Sequence, residues 1–302
     1  MTIEQRLRNL EVPKGKIDVV LDTDAFNEVD DQFAIAYLLR SEEKLNTVAI
    51  YAAPFFNWLS KDAEDGMEKS YNEILKVLSI MGEEQNVIKG SRSFMSEDDV
   101  PVISDAAKDL AERAEHYSPE NPLYVVATGA ITNVASALLI NPKVAENTVV
   151  VWLGGHGQHY FHAGEFNMRS DYSAARAVFK SGVPFVQVPC FGVSHCFTIS
   201  RPDFEKWFIN KSPIAHYLAD NTIRDMGYDN DRPWGRVIWD VIAVAWLLNE
   251  NERFMKTRII PTPIPTRDSQ YAMNHQGLPM RYVYFVERDN LLADLIEKLT
   301  KE

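Results

Sequence analysis

IDVVLDTDAFNEVDDQFAIAYLL, residues 17–39, carries the reading of the fold. Four of its first five residues are apolar and mostly β-branched, the composition of a buried strand. Toward its end Phe33, Ala34, Tyr37 and Leu38 recur at helical spacing. Between strand and helix stand five acids: Asp22, Asp24, Glu28, Asp30 and Asp31. A strand that runs into a helix through a short polar loop is the repeating unit of an α/β sheet. In open sheets of that kind ligands gather beyond the C-terminal strand ends, which is where these acids stand.

The alternation continues downstream. TVAIYAA (Thr47–Ala53) reads as a second buried strand, followed by a helix whose stripe is Ala63, Met67, Tyr71, Ile74, Leu75 and Leu78. A short strand near Val87, a helix from about Ile103 to His116 and the strand LYVVAT, ending at Thr128, come next. The helix ITNVASALLI, the strand VVVWL, a helix after Asp171 and the strand FVQVP complete the pattern. Strands this continuously apolar are buried on both faces. The expected fold is therefore α/β: a single domain over residues 1–302 with a mostly parallel, Rossmann-like central sheet and helices on both faces. Asp203–Arg236 reads as helices joined by loops. KTRIIP and RYVYFV read as late strands, and a last helix begins near Asn290.

Composition narrows the function. The 302 residues are 46% hydrophobic and 25% charged, ordinary for a folded protein. The net charge of −12 repels phosphate backbones and anionic lipid, so neither nucleic acid nor a membrane surface is an expected partner. A small neutral or cationic molecule is. The start, MTIEQRLRNLEVPKGK, lacks the apolar core of a secretory signal. The longest apolar run, Val241–Leu248, is too short to span a bilayer. The expectation is a cytoplasmic protein in which Cys190 and Cys196, the only cysteines, are free thiols. Two cysteines and the adjacent His195 are too few ligands for a closed zinc site.

The acids admit three readings. Asp30 and Asp31 could cap the helix start, favoured by its dipole, with the rest solvated. A divalent cation could neutralise them, and an all-oxygen donor set favours Ca²⁺ or Mg²⁺ over zinc or copper. Their position at a strand end favours the cation. The Asp-x-Asp pair after an apolar strand also resembles the nucleophile loop of Mg²⁺-dependent haloacid-dehalogenase phosphatases, but no lysine is found at a later strand end, which that chemistry requires.

Four segments taken together point further: VVLDTDAFNEVDDQFAIAYLL, VVATGAITNVASALLINP, WLGGHGQHYFHAGEFNMRSDYSAARAVFKSG and RVIWDVIAVAWLL. In this order, from about Ile17 to Leu248, they resemble the nucleoside hydrolases, calcium-dependent enzymes that cleave the N-glycosidic bond of ribonucleosides. The resemblance implies that Asp24, Asp31, the Thr128 carbonyl and Asp240 ligate Ca²⁺, with Asp24 also the base for the attacking water. It implies that Asp30 accepts from the ribose 2′-hydroxyl, that Glu165 and Asn167 hold the other hydroxyls, and that Asp22 supports the loop. It also implies a homodimer or homotetramer. The chemistry suits these residue types. Carboxylates stabilise an oxocarbenium-like sugar, and a hard cation positions water and chelates a diol. A calcium-loaded ribose- or nucleoside-binding protein without turnover is the other reading of the same pocket.

The sequence departs from the family in three places. The usual Asp-Pro-Gly-x-Asp-Asp is lengthened to DAFNEVDD, so Asn27 or Glu28 gains access to the ion or substrate. Trp239 stands where many members have a histidine that protonates the leaving base. An indole stacks but cannot donate that proton, which leaves His156, His159, His162, His195 and Tyr228 as candidate acids. His159 occupies the position of an asparagine that touches the ribose 5′ end, and the family's Gly-Asn after the second strand is missing from AAPFFNW, where Asn57 is a candidate substitute. Phe55, Phe56 and Trp58 follow that strand end and serve either the base or the core. Asp220–Arg236, with Tyr228 and Trp234, is a candidate lid.

Overall fold

A computed structural model describes residues 1–227 and 232–301. Its strands are β1 (Ile17–Thr23), β2 (Leu45–Ala52), β3 (Val87–Lys89), β4 (Leu123–Ala127), β5 (Thr148–Leu153), β6 (Phe185–Val188), β7 (Thr198–Ser200), β8 (Gly235–Val237), β9 (Met255–Pro261), β10 (Ile264–Pro265), β11 (Tyr271–Ala272) and β12 (Pro279–Val286). Its helices are α1 (Ile3–Asn9), α2 (Asp30–Leu39), α3 (Ala63–Met81), α4 (Asp105–Arg113), α5 (Thr132–Ile140), α6 (Lys143–Asn147), α7 (Phe166–Ser170), α8 (Tyr172–Lys180), α9 (Arg201–Trp207), α10 (Pro213–Asp225), α11 (Val241–Trp246) and α12 (Arg288–Thr300).

Eight strands form one sheet in the order β3-β2-β1-β4-β5-β6-β12-β9. All neighbours are parallel except the edge pair β12 and β9. The chain steps outward from β1 to β3, then returns to place β4 on the other side of β1. That reversal opens a crevice above the ends of β1 and β4, where Asp22 pairs in register with Ala127.

Side chains alternate between two cores. On β4, Tyr124 and Val126 join one apolar cluster, while Leu123, Val125 and Ala127 join the other. On β5, Val149, Val151 and Leu153 oppose Val150 and Trp152 in the same way. This two-sided burial explains the near-continuous apolar strands, and the helices supply the cover on both faces.

The helix expected from Ile103 begins at Asp105, because the Ser104 hydroxyl accepts the Ala107 N–H (3.1 Å) and caps it there. Its end tightens into a 3₁₀ turn at Ala114–His116. The apolar run at Val241 is a fully buried helix of six residues. Among the described residues no helix is long and apolar enough to cross a membrane. The short pairs β7–β8 and β10–β11 gave no readable period in the sequence, being two or three residues long.

Candidate functional site

β1 ends in Thr23, and the following loop turns back through the Asn27 N–H, which donates to the Asp24 carbonyl at 2.7 Å. α2 then starts with Asp30 and Asp31, both buried. Acids in a first helical turn face the positive end of the dipole, which stabilises their ionised form. From the other side of the crevice, β4 delivers Thr128. Its N–H donates to the Asp22 carbonyl (2.8 Å) and its hydroxyl to Asp31 Oδ1 (2.9 Å). The Thr23 hydroxyl donates to the same Asp31 oxygen. Asp240, at the start of α11, completes the group.

One carboxylate oxygen each from Asp30, Asp31 and Asp240 lies within 4.8 Å of the others. Asp24 lies against Asp31 as well. Each of these four aspartates is no more than 3% exposed. Both oxygens of Asp24 and Oδ1 of Asp30 are buried with no hydrogen-bond donor. Such atoms cost stability unless something positive meets them.

Electrostatics state the same need. Burial, then the charges of Asp31 and Asp30, hold Asp24 well above the usual carboxylate range. Burial followed by the charges of Asp30, Asp31 and Asp24 does the same to Asp240. Asp30 is pushed up to about 7 by burial and Asp31. Asp31 is raised by burial only to about 6, because hydrogen bonds from Thr23 and Thr128 pull it back. Arg236 is the cation that bears on this cluster. It pairs with Glu28 (2.9 Å) and Asp225 (3.2 Å) and lowers Asp30 and Glu28 without cancelling the effect of burial. A compact set of hard, buried oxygens, those of Asp24 and Oδ1 of Asp30 without a partner, fits a divalent cation, and Asp24, Asp30, Asp31, Asp240 and the Thr128 carbonyl are the donors at hand.

The acids floor a cavity of about 520 Å³, a size suited to a small ligand. Leu153, Glu165, Phe166 and Asn167 line its wall; His156, His162, Arg169, Phe191, Trp239 and Ser269 line the rest. Asn167 Nδ2 donates to the Thr128 carbonyl (2.8 Å) and the Leu153 carbonyl (3.0 Å), tying the ends of β4 and β5 together. Glu165 caps α7, accepting from the N–H groups of Gly155 (2.9 Å), Asn167 (2.6 Å) and Met168 (3.2 Å). Burial nevertheless raises it to about 7. Trp239 donates its backbone N–H to Asp30 Oδ2 (3.1 Å) and sets its ring edge-on to Phe191 at 5.2 Å.

The cavity thus gathers Asp24, Asp30, Asp31, Thr128, Glu165, Asn167, Trp239 and Asp240, and with them Asn27, Glu28, His156 and His162. His159 is exposed, outside the lining, with its ring beside Gly157 and Gly192. Asp22 lies beneath the cavity, where Asn133 Nδ2 donates to it at 2.8 Å. Asn57 reaches the loop by donating to Asn27 Oδ1 (2.7 Å). Phe55 is core, whereas Phe56 and Trp58 are exposed away from the lining. His195 is exposed, Trp234 packs near Phe204, and Cys190 and Cys196 are free thiols. Tyr228 lies outside the described residues. Cys190 and Phe191 line the cavity directly beyond β6, so the strand-end rule applied to FVQVP would have found them. Ser269 comes from the loop between β10 and β11 and had no sequence signal.

A crevice at the sheet's point of reversal, floored by buried acids, defines a class. The sequence model of the inosine-uridine preferring nucleoside hydrolases matches residues 19–278, and the chain belongs to that family of hydrolases acting on the N-glycosyl bonds of ribonucleosides. That membership displaces the phosphatase reading of the Asp-x-Asp pair. Among relatives, the pyrimidine-specific ribonucleoside hydrolase RihA of Citrobacter koseri is 28% identical over 247 residues, 72% of this chain and 76% of its own. The protein of the same name from a Shewanella species is 27% identical over 260 residues, 76% and 77%. In fold, the chain is similar to the plant nucleoside hydrolase PpNRh1 (TM-score 0.74, 21% identity, covering 95% of this chain and 99% of the other). It is equally similar to a purine-preferring ribonucleoside hydrolase from Gardnerella vaginalis (TM-score 0.74, 19% identity, 94% and 98%).

Proposed function

We propose that this protein is a calcium-dependent ribonucleoside hydrolase that releases ribose and a free base. The observation that carries the reading is the buried acid cluster at the β1–β4 crevice, with carboxylate oxygens that have no partner. Asp24, Asp31, Asp240 and the Thr128 carbonyl would hold the ion. When bound, it would acidify a water and grip the vicinal hydroxyls of a pentose.

The chain's own groups do the rest. Asp24 takes the proton of the attacking water: neither of its oxygens accepts a hydrogen bond, so one is left for this role when the other holds the ion. Asp30 Oδ2 is held by the Trp239 N–H, leaving Oδ1 to accept from the 2′-hydroxyl. Asn167 uses both amide hydrogens on strand-end carbonyls, so its Oδ1 is the atom offered to a ribose hydroxyl, beside Glu165. The carboxylates stabilise the positive charge that grows on the sugar as the bond to the base lengthens. The names of the curated relatives put uridine and cytidine first among substrates. A cytoplasmic homodimer or homotetramer completes the reading, and light scattering on the purified protein tests the assembly.

The direct test is a panel of ribonucleosides assayed for free ribose with calcium and with chelator. Calcium-dependent release from at least one nucleoside is expected. Tight binding of nucleoside with no ribose released would favour the binding-protein reading and overturn turnover.

A further inference from the structure

The cavity's aromatic end contains a histidine whose tautomer is set by the backbone. The Phe191 N–H donates to His156 Nδ1 at 3.3 Å. An acceptor at Nδ1 leaves the ring proton on Nε2 in the neutral imidazole. No described residue accepts from that Nε2–H, and the ring lines the cavity. The backbone of the residue is held as well: its N–H donates to the Ala163 carbonyl (3.2 Å) and its carbonyl accepts from the Tyr271 hydroxyl (3.3 Å). Burial, with His162 and Arg169 nearby, lowers the imidazole to about 4, so it is neutral near pH 7.

The surroundings describe what it meets. The His156 ring centroid lies 4.8 Å from Tyr160, 4.9 Å from His162 and 5.2 Å from Phe191. Phe191 in turn meets Trp239, whose backbone holds Asp30 on the acid floor. A flat ring seated among these side chains would have its sugar directed at the carboxylates, and the His156 Nε2–H is a donor whose position beside it is fixed by the Phe191 N–H.

We propose that His156 selects and activates the leaving base by donating its Nε2–H to a carbonyl oxygen adjacent to the glycosidic nitrogen, as in O2 of a pyrimidine. The inference rests on the riboside reading above. As C1′–N1 breaks, its electron pair passes to the base and part of the charge appears on O2, where the donor stabilises it. Water supplies the hydroxyl at C1′ and its proton passes to Asp24; the base regains a proton from solvent. His156 keeps its own proton throughout, so it acts as an electrophile and does not replace the acid that Trp239 lacks.

The test compares uridine with 4-nitrophenyl β-ribofuranoside, whose leaving group has no carbonyl beside the glycosidic atom. The readout is the ratio of the two kcat/KM values in the calcium-loaded enzyme. His156→Phe is expected to lower that ratio about 100-fold, the loss typical of one removed transition-state donor. His156→Gln, which restores a side-chain N–H at similar reach, is expected to recover most of it. A ratio unchanged in His156→Phe, or as low in His156→Gln as in His156→Phe, would overturn the assignment. Wild-type protein inert toward both ribosides would instead overturn the riboside reading itself, and with it any role for His156.

Discussion

Replacing Asp240 with asparagine should stabilise the metal-free protein while abolishing its response to metal. Asp240 is 3% exposed, lies against Asp31 and faces the charges of Asp30, Asp31 and Asp24. The ligand oxygens lie within 4.8 Å of one another, and at that outer limit a like-charged pair repels by roughly 3.5 kcal/mol in an effective dielectric of about 20. If the carboxyl escapes repulsion by staying protonated, folding at pH 7.5 forfeits up to roughly 5 kcal/mol, because the unfolded chain would ionise it. Asparagine removes either cost at constant shape, so after relaxation a gain of about 2–4 kcal/mol is expected. For a chain of this size that corresponds to a rise in Tm of about 3–6 °C. Thermal unfolding in chelator and in calcium at pH 7.5 provides the assay. Wild-type protein should gain about 2.7 kcal/mol when calcium stands at about 100 times its Kd, and Asp240→Asn should gain almost nothing. A variant less stable than wild type in chelator, with an undiminished calcium shift, would refute the reasoning.

Four further outcomes follow from the same geometry. Asn167→Ala leaves the carbonyls of Thr128 and Leu153 unpaired, so it should cost about 1–3 kcal/mol of stability and raise KM for nucleosides, measured by denaturant unfolding and steady-state kinetics. A 2′-deoxynucleoside should lose about four orders of magnitude in kcat/KM against its ribose parent, because Asp30 Oδ1 is then left buried and unpaired; comparable rates would contradict its role. The metal-free fold should lose stability as pH rises from about 4 through 7. Asp30 and Asp31 titrate near 7 and 6 when folded, so the native state binds more protons than the unfolded chain across that window. For the same reason calcium affinity should climb with pH until both are ionised, which titration calorimetry at pH 5.5 and 7.5 would show.

The sheet was legible because parallel strands buried on both faces leave a nearly continuous apolar signature, carried by LYVVA of β4, VVVWL of β5 and the shorter run VVL of β1. The acid cluster was legible because a strand end is both a place in the sequence and a place in the fold: Asp24, Asp30, Asp31 and Thr128 lie within a few residues of β1 and β4. Asp240 came from the family resemblance, since nothing local ties α11 to the crevice 200 residues away. The wall was harder. The position expected to meet the ribose 5′ end is occupied by His159, yet it is His156 and His162 that line the cavity. Counting six residues back from Glu165 ignores how the loop folds onto Phe191, whose backbone holds His156. Arg236 had no signal either, because its pairing with Glu28 depends on an antiparallel strand of three residues meeting the lengthened β1–α2 loop.

The account turns on one cation seated between remote segments and holding a pentose. Crystals grown with calcium and soaked with ribose, with data collected for the anomalous signal of the metal, test it most directly. The expected result is a single peak coordinated by Asp24, Asp31, Asp240 and the Thr128 carbonyl, with the 2′- and 3′-hydroxyls completing its shell and Asp30 on the 2′ side. Ribose bound in the cavity with no metal peak among these residues, or a peak at a different set of ligands, would contradict it.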